Sequence, residues 1–276
     1  MKIGIFDSGL GGLVIARAIV KKLPKYDYIY LGDTKNLPYG QKSPVQIYRF
    51  TLKAVDFLFK QKCQIIIIAC NTASALALRK IQQQYLPTHY PNRRVLGVII
   101  PTLESIWQPP IDIRSPIRTN RRSKVGVIGT TATIKSHIYK KELTKINGQA
   151  RIIELVAPDL VPLIEQNSLQ KARKTVKLYL RPFKKRGIEA LILGCTHYPI
   201  LKKTFGQAMG RKVTVISQDE IMPGKLVNYL KRHKELASKL SKNSKKEFWV
   251  TSRNSKFDKV AKRMFGRKLD LKLVKI

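Results

Sequence analysis

The chain has 276 residues, with 54 Lys and Arg against 17 Asp and Glu, for a formal net charge of +37. Apolar residues make up 43% and charged residues 26%, close to the about 45–50% and about 25% of globular proteins, which excludes a collagen, a low-complexity chain and a largely disordered one. At roughly 100–200 residues per domain, the length allows one large domain or two modest ones.

The first stretch, MKIGIFDSGLGGLVIARAIV, places a lysine ahead of apolar residues as a signal peptide does. Asp7 and four glycines (Gly4, Gly9, Gly11, Gly12) interrupt the run, and Arg17 follows. No window holds about 18 uninterrupted apolar residues, so neither a membrane span nor a membrane partner is expected. The expectation is a soluble cytoplasmic protein with free thiols. Short apolar runs predict strands over 2–6, 28–31, 64–69, 95–99, 124–129, 152–156, 189–194, 212–216, 247–251 and 271–274. Helical periodicity falls between most of them, as over 13–23, 44–62, 72–85, 158–166 and 169–185. Alternating strands and helices, with runs such as IIII buried on both faces, predict an α/β protein of mostly parallel sheets sandwiched by helices.

The stretch 106–123 breaks the rhythm with Pro109, Pro110 and Pro116 among Arg114, Arg118, Arg121 and Arg122, and reads as an exposed connection. Just beyond it the chain starts again. KIGIFDSG near residue 2 resembles KVGVIGTT near residue 124, and IIIIACNTAS around Cys70 resembles ALILGCTHYP around Cys195. The intervals from Asp7 to Cys70 and from Thr130 to Cys195 are nearly equal. Two related α/β units are therefore expected: a discontinuous first domain of 1–100 plus 210–276, and a second of 101–209. Chance likeness among short apolar strands is the competing explanation.

Three cysteines, Cys63, Cys70 and Cys195, with no C-x-x-C pair, argue against a disulfide framework or a cysteine zinc site, and no metal is expected. In parallel α/β sheets, ligands bind beyond the carboxyl ends of the strands. The loops there are Asp7-Ser8-Gly9, Gly32-Asp33 leading to Pro38-Tyr39-Gly40, Cys70-Asn71-Thr72, Thr130-Thr131 and Cys195-Thr196-His197. The glycine loop at 7–12 is not G-x-G-x-x-G, because position 14 is Val, and no G-K-[ST] is present, which argues against a nucleotide. Its glycines allow a sharp turn close to a small ligand, and the helix that follows favours an anion such as a carboxylate.

A lone cysteine at a strand end is as often a small buried hydrophobe as a reactive group. Two in matching positions of two related units are harder to dismiss. Facing each other, they could invert a carbon centre, one removing a proton from one face and the other returning one to the opposite face. A thiol near pKa ~8.5 needs a polar neighbour or helix N-terminus to ionise. Asp7 and His197 are the available proton partners, and Asp7 equally suits a helix cap.

The segments DSGLGG (7–12), GDTKNLPYG (32–40), ACNTAS (69–74), VIGTTATIKSHIY (127–139), VPLIE (161–165) and LGCTHYPIL (193–201) resemble those of glutamate racemases, of the cofactor-independent aspartate/glutamate racemase superfamily. The likeness runs to about residue 265. It implies two facing, pseudo-twofold α/β domains with the active site between them, and no cofactor. It implies that Cys70 and Cys195 are the acid/base pair, assisted by Asp7 and His197 respectively. Asp7, Ser8, Pro38, Tyr39, Gly40, Asn71, Thr72, Thr130, Glu165, Thr196 and His197 would then line or support the substrate site. The product would be D-glutamate for peptidoglycan precursors, and a homodimer is expected. Departures are Ala157 in place of a frequent cysteine, the long basic connection, and TSRN at 251–254, expected to lie away from the site. An aspartate racemase is the alternative within the superfamily. The alternative outside it is a polyanion-binding protein on the same scaffold. The charge is spread along the chain with mild crowding from Lys225 to Lys272, so nonspecific polyanion attraction at low salt is expected rather than a dedicated patch.

Overall fold

The computed structural model describes residues 1–107, 123–146, 148 and 150–276. Most of the basic connection predicted over 106–123 lies outside the described residues. The strands are β1 (Lys2–Asp7), β2 (Tyr28–Gly32), β3 (Cys63–Ile68), β4 (Arg94–Gly97), β5 (Lys124–Gly129), β6 (Arg151–Val156), β7 (Ala190–Gly194), β8 (Thr214–Ile216), β9 (Lys246–Val250) and β10 (Leu271–Leu273). They form a six-stranded sheet of order β10-β9-β2-β1-β3-β4 and a four-stranded sheet of order β6-β5-β7-β8. Every pairing among them is parallel.

Alternation along the strands explains why the first sheet is covered on both faces. Ile3, Ile5, Ile65 and Ile67 join one apolar cluster, which continues through the second sheet. Phe6, Ile66 and Ile68 point the other way, onto the helix Pro44–Lys60, which contributes Ile47, Val55, Leu58 and Phe59. With side chains alternating and both faces dry, the strand becomes the continuous apolar run CQIIII.

The repeat read from the sequence has a counterpart in topology. The order β2-β1-β3-β4 is reproduced as β6-β5-β7-β8, so β1 corresponds to β5 and β3 to β7. The boundary expected at 209/210 moves, however. Strand β8, assigned to the first unit, pairs with β7 through Ala190–Thr214, Leu191–Val215 and Ile192–Ile216. The chain returns to the first sheet only after the helix Gln218–Arg232, which packs on the helix Leu13–Lys22. Three residues of strand carry too little pattern to declare which sheet they extend.

Other differences have local causes. The segment predicted as one helix over 72–85 is broken: Asn71–Leu76 stops at Ala77, whose φ of −122° is not helical, and Ile81–Tyr85 forms wider π turns. The strand predicted over 95–99 ends at Gly97, and Ile99–Glu104 is helical with Pro101 in its first turn, where a missing N–H costs nothing. The helix predicted over 169–185 divides into Leu169–Tyr179 and Arg181–Arg186 at Pro182, and Gly187 closes it in a left-handed conformation, φ 61°. Among the described residues, no helix is long and apolar enough to cross a membrane.

Candidate active site

Each chemically equipped loop follows the carboxyl end of a central strand. After β3, Cys70 caps the helix Asn71–Leu76: its sulfur accepts the Ala73 N–H at 3.4 Å and its S–H donates to Ser8 Oγ at 3.2 Å. After β7, Cys195 Sγ lies 3.8 Å from His197 Nδ1, and His197 Nε2 lies 3.0 Å from Glu165 Oε1. After β5, Thr130 caps the helix Thr131–Lys135. At the end of β1, the Asp7 carboxylate accepts the Gly9 N–H at 3.1 Å and the Thr196 hydroxyl at 3.3 Å.

These loops enclose one cavity of about 50 Å³. Cys70 and Cys195, 5% and 6% exposed, both line it. So do Ser8, Pro38, Tyr39, Gly40, Asn71, Thr72, Thr130, Thr196 and His197. Two of the predicted site residues stand behind this wall. Asp7 supports Thr196, and Glu165 supports His197. Asp7, expected to assist Cys70, is hydrogen-bonded to Thr196 and the glycine loop, and its charge acts on Cys70 from there.

The two thiols have unlike neighbours, a hydroxyl at Cys70 and an imidazole at Cys195. Burial raises the Cys70 thiol to about 12, and the Asp7 charge adds to the effect, so Cys70 is protonated at neutral pH. Burial also raises Asp7, against the opposing pull of His197. For His197, burial alone would disfavour the charged ring. The hydrogen bonds and charges of Cys195 and Glu165 overcome it and hold the imidazole well above its ordinary value.

The cleft is closed by polar contacts between the lobes. Thr72 Oγ1 lies 3.0 Å from both Thr130 Oγ1 and Thr133 Oγ1. Glycines permit the close approach. A Cβ at Gly11 would stand 2.5 Å from Thr196 Oγ1 and 2.6 Å from His197 Nδ1, and one at Gly40 2.8 Å from Thr130 Cβ.

The loop at 32–40 is anchored by Asp33, which accepts the Tyr39 hydroxyl at 2.6 Å and the Thr251 hydroxyl at 2.7 Å. The 251–254 stretch, expected to lie away from the site, thus reaches its wall through Asp33. Sequence reasoning also missed Thr133, Tyr139 and Gln218. Thr133 was signalled by its place three residues after the capping Thr130. Tyr139 and Gln218 meet Asn71 from distant segments and carried no local signal. Among the described residues, no cluster of three His, Cys, Asp or Glu side chains is arranged to hold a metal.

Comparison with known proteins agrees with this geometry. The Asp/Glu/Hydantoin racemase family matches residues 13–218. The chain is 36% identical over 270 residues to the glutamate racemase of Geobacter metallireducens, covering 97% of this chain and 93% of that one. The crystal structure of glutamate racemase isoform RacE1 from Bacillus anthracis superposes with a TM-score of 0.86 at 32% identity, covering 100% of this chain and 97% of the other. Glutamate racemase from Francisella tularensis, solved in complex with D-glutamate, superposes with a TM-score of 0.85 at 32% identity, covering 99% and 97%.

Proposed function

The chain belongs to the Asp/Glu/Hydantoin racemase family, and from that premise we propose that it interconverts L- and D-glutamate by two-base proton transfer between Cys70 and Cys195. The observation that carries the reading is that two thiols, one from a loop of each sheet, line a single cavity whose wall combines amide and hydroxyl groups with Leu37, Val161 and prolines.

The chemistry follows from that placement. Cys195 hands its proton to His197 and, as thiolate, takes the hydrogen from the substrate α-carbon. The electron pair of the broken C–H bond passes into the adjacent carboxylate. Cys70, kept a thiol by its burial, then gives its proton to the opposite face of the carbon and is left as thiolate. Reaction in the other sense exchanges the roles. The charge that develops on the carboxylate is met by Thr72, Thr196 and nearby backbone N–H groups, which act as fixed donors in a site without bulk water, while Asn71 holds the carboxylate in substrate and transition state alike. Ser8, hydrogen-bonded to Cys70, and Glu165, hydrogen-bonded to His197, orient the two proton carriers.

The cavity of about 50 Å³ has room for a few waters, each needing about 10–15 Å³ on that measure. Closure of the lobes over the substrate would exclude solvent from the site.

We further propose that the enzyme works in the cytoplasm as a homodimer supplying D-glutamate for peptidoglycan precursors, and that its +37 charge attracts polyanions only nonspecifically. The test of the activity is incubation of the purified protein with L-glutamate in deuterated water without added cofactor. The expected result is D-glutamate with deuterium at the α-carbon. Folded protein that yields neither product defeats the reading. L-aspartate under the same conditions tests the alternative substrate.

A further inference from the structure

Behind the cavity, three buried side chains from three separate segments form a closed hydrogen-bonded ring. Asn71 is the first residue of the helix after β3, Tyr139 lies on the helix Ile138–Ile146 of the second lobe, and Gln218 opens the helix Gln218–Arg232. Their exposures are 3%, 0% and 0%. Asn71 Oδ1 accepts the Tyr139 hydroxyl at 2.6 Å and Gln218 Nε2 at 2.9 Å. Asn71 Nδ2 donates to Gln218 Oε1 at 3.3 Å, and Gln218 Nε2 also donates to the Tyr139 oxygen at 3.1 Å.

Counting donors and acceptors shows what the ring accomplishes. An amide offers two N–H donors and an oxygen with two acceptor sites. Both acceptor sites of Asn71 are filled by Tyr139 and Gln218, and one of its two N–H bonds is committed to Gln218. One N–H is left over, on a residue that lines the cavity. Both N–H bonds of Gln218 are used within the ring. Without Gln218, the amide of Asn71 would keep only its bond to Tyr139 and could rotate its oxygen toward the cavity, presenting an acceptor to an anionic group.

We infer that Gln218 is a positioning residue for substrate binding: with Tyr139 it fixes the Asn71 amide so that its remaining N–H serves as a donor to the carboxylate of the bound amino acid. The inference rests on the functional reading above and adds a residue to it. Gln218 touches neither the substrate cavity nor a thiol and acts only through Asn71.

The experiment compares wild type with Gln218→Met, which keeps the length and removes every hydrogen bond, and with Tyr139→Phe, which removes one of the two donors to Asn71 Oδ1. A misoriented donor weakens binding of the substrate and of the transition state alike, so KM for glutamate rises while kcat stays nearly constant. Loss of a hydrogen bond to a charged group predicts a KM increase of about tenfold or more for Gln218→Met, with a smaller rise for Tyr139→Phe. A general loosening of the fold would instead lower kcat or the active fraction and leave KM in place. KM within twofold of wild type in a folded Gln218→Met overturns the inference. If that variant does not fold, an unchanged KM in folded Tyr139→Phe overturns it equally. A wild type that exchanges no α-hydrogen in deuterated water defeats the functional reading and this inference with it. An active wild type with unchanged KM in the variants defeats this inference alone.

Discussion

A single methyl group at Gly11 should disable the enzyme by keeping its lobes apart. Gly11 lies on the loop after β1, whereas Thr196 and His197 lie on the loop after β7. A Cβ built on Gly11 falls 2.5 Å from Thr196 Oγ1, 2.6 Å from His197 Nδ1 and 2.8 Å from His197 Cε1. Ordinary contacts begin near 3.4 Å, so the neighbours would have to retreat by about 0.9 Å. Neither is the free end of a flexible chain: the His197 side chain is 4% exposed and held by Glu165, and Thr196 is bonded to Asp7. Overpacking of this kind costs about 1–3 kcal/mol. Because the clash exists only when the lobes meet, the cost falls on the closed state. At 1.4 kcal/mol per tenfold, that lowers the closed population, and with it kcat/KM, about 5- to 150-fold. The assay is the rate of L-glutamate racemisation followed by circular dichroism, with thermal unfolding measured in parallel. Gly11→Ala is expected to lose activity far out of proportion to any change in Tm. A variant with kcat/KM within twofold of wild type would refute the closed-cleft argument.

The remaining predictions concern the thiols, the His197 pair and the charge. Cys70→Ser and Cys195→Ser should each lower racemisation by about 10²–10⁴-fold, the usual range for a positioned acid or base; full activity in either rejects the two-base assignment. Glu165→Gln should lower the pKa of His197, because the carboxylate raises it in the native enzyme. A group with a raised folded value contributes stability that is complete below its unfolded value of about 6.5 and is lost as pH rises through the folded one. The Tm deficit of Glu165→Gln should therefore be largest on the acid side of that window and shrink above it; calorimetry finding a deficit that grows with pH would contradict the pairing. DNA retained by the protein at low salt should be released above about 0.2 M salt if the attraction is only nonspecific; retention beyond that would point to a dedicated nucleic-acid site.

The parts of the molecule that the sequence exposed are those where local pattern and global role coincide. Apolar runs ending in Cys70 and Cys195 announced both the buried strands and the place where ligands meet them, and the likeness between the two halves anticipated the repeated strand order. Thr130 and Ser8 were legible for the same reason, as the first polar residues past a buried strand. Gln218 and Tyr139 were not, since an isolated amide and an isolated phenol acquire meaning only once Asn71 arrives from elsewhere in the chain. Asp7 and Glu165 were found, but sequence could not tell a wall residue from one standing behind it. The assignment of β8 failed because three residues offer no alternation to read, and the break at Ala77 because alanine, the best helix former, gives no sign of one.

The doubled strand order bears on how the protein treats mirror images. Two enantiomers have identical free energies in water, so the equilibrium constant between them is unity, and the catalytic efficiencies measured from the two sides must be equal. A chain that repeats one wall pattern on both flanks of its cleft, yet equips one sulfur with a hydroxyl and the other with an imidazole, is free to break its internal symmetry without breaking that equality. Whatever ratio the unlike neighbours set between the turnover numbers of the two enantiomers, they must set the same ratio between the two Michaelis constants.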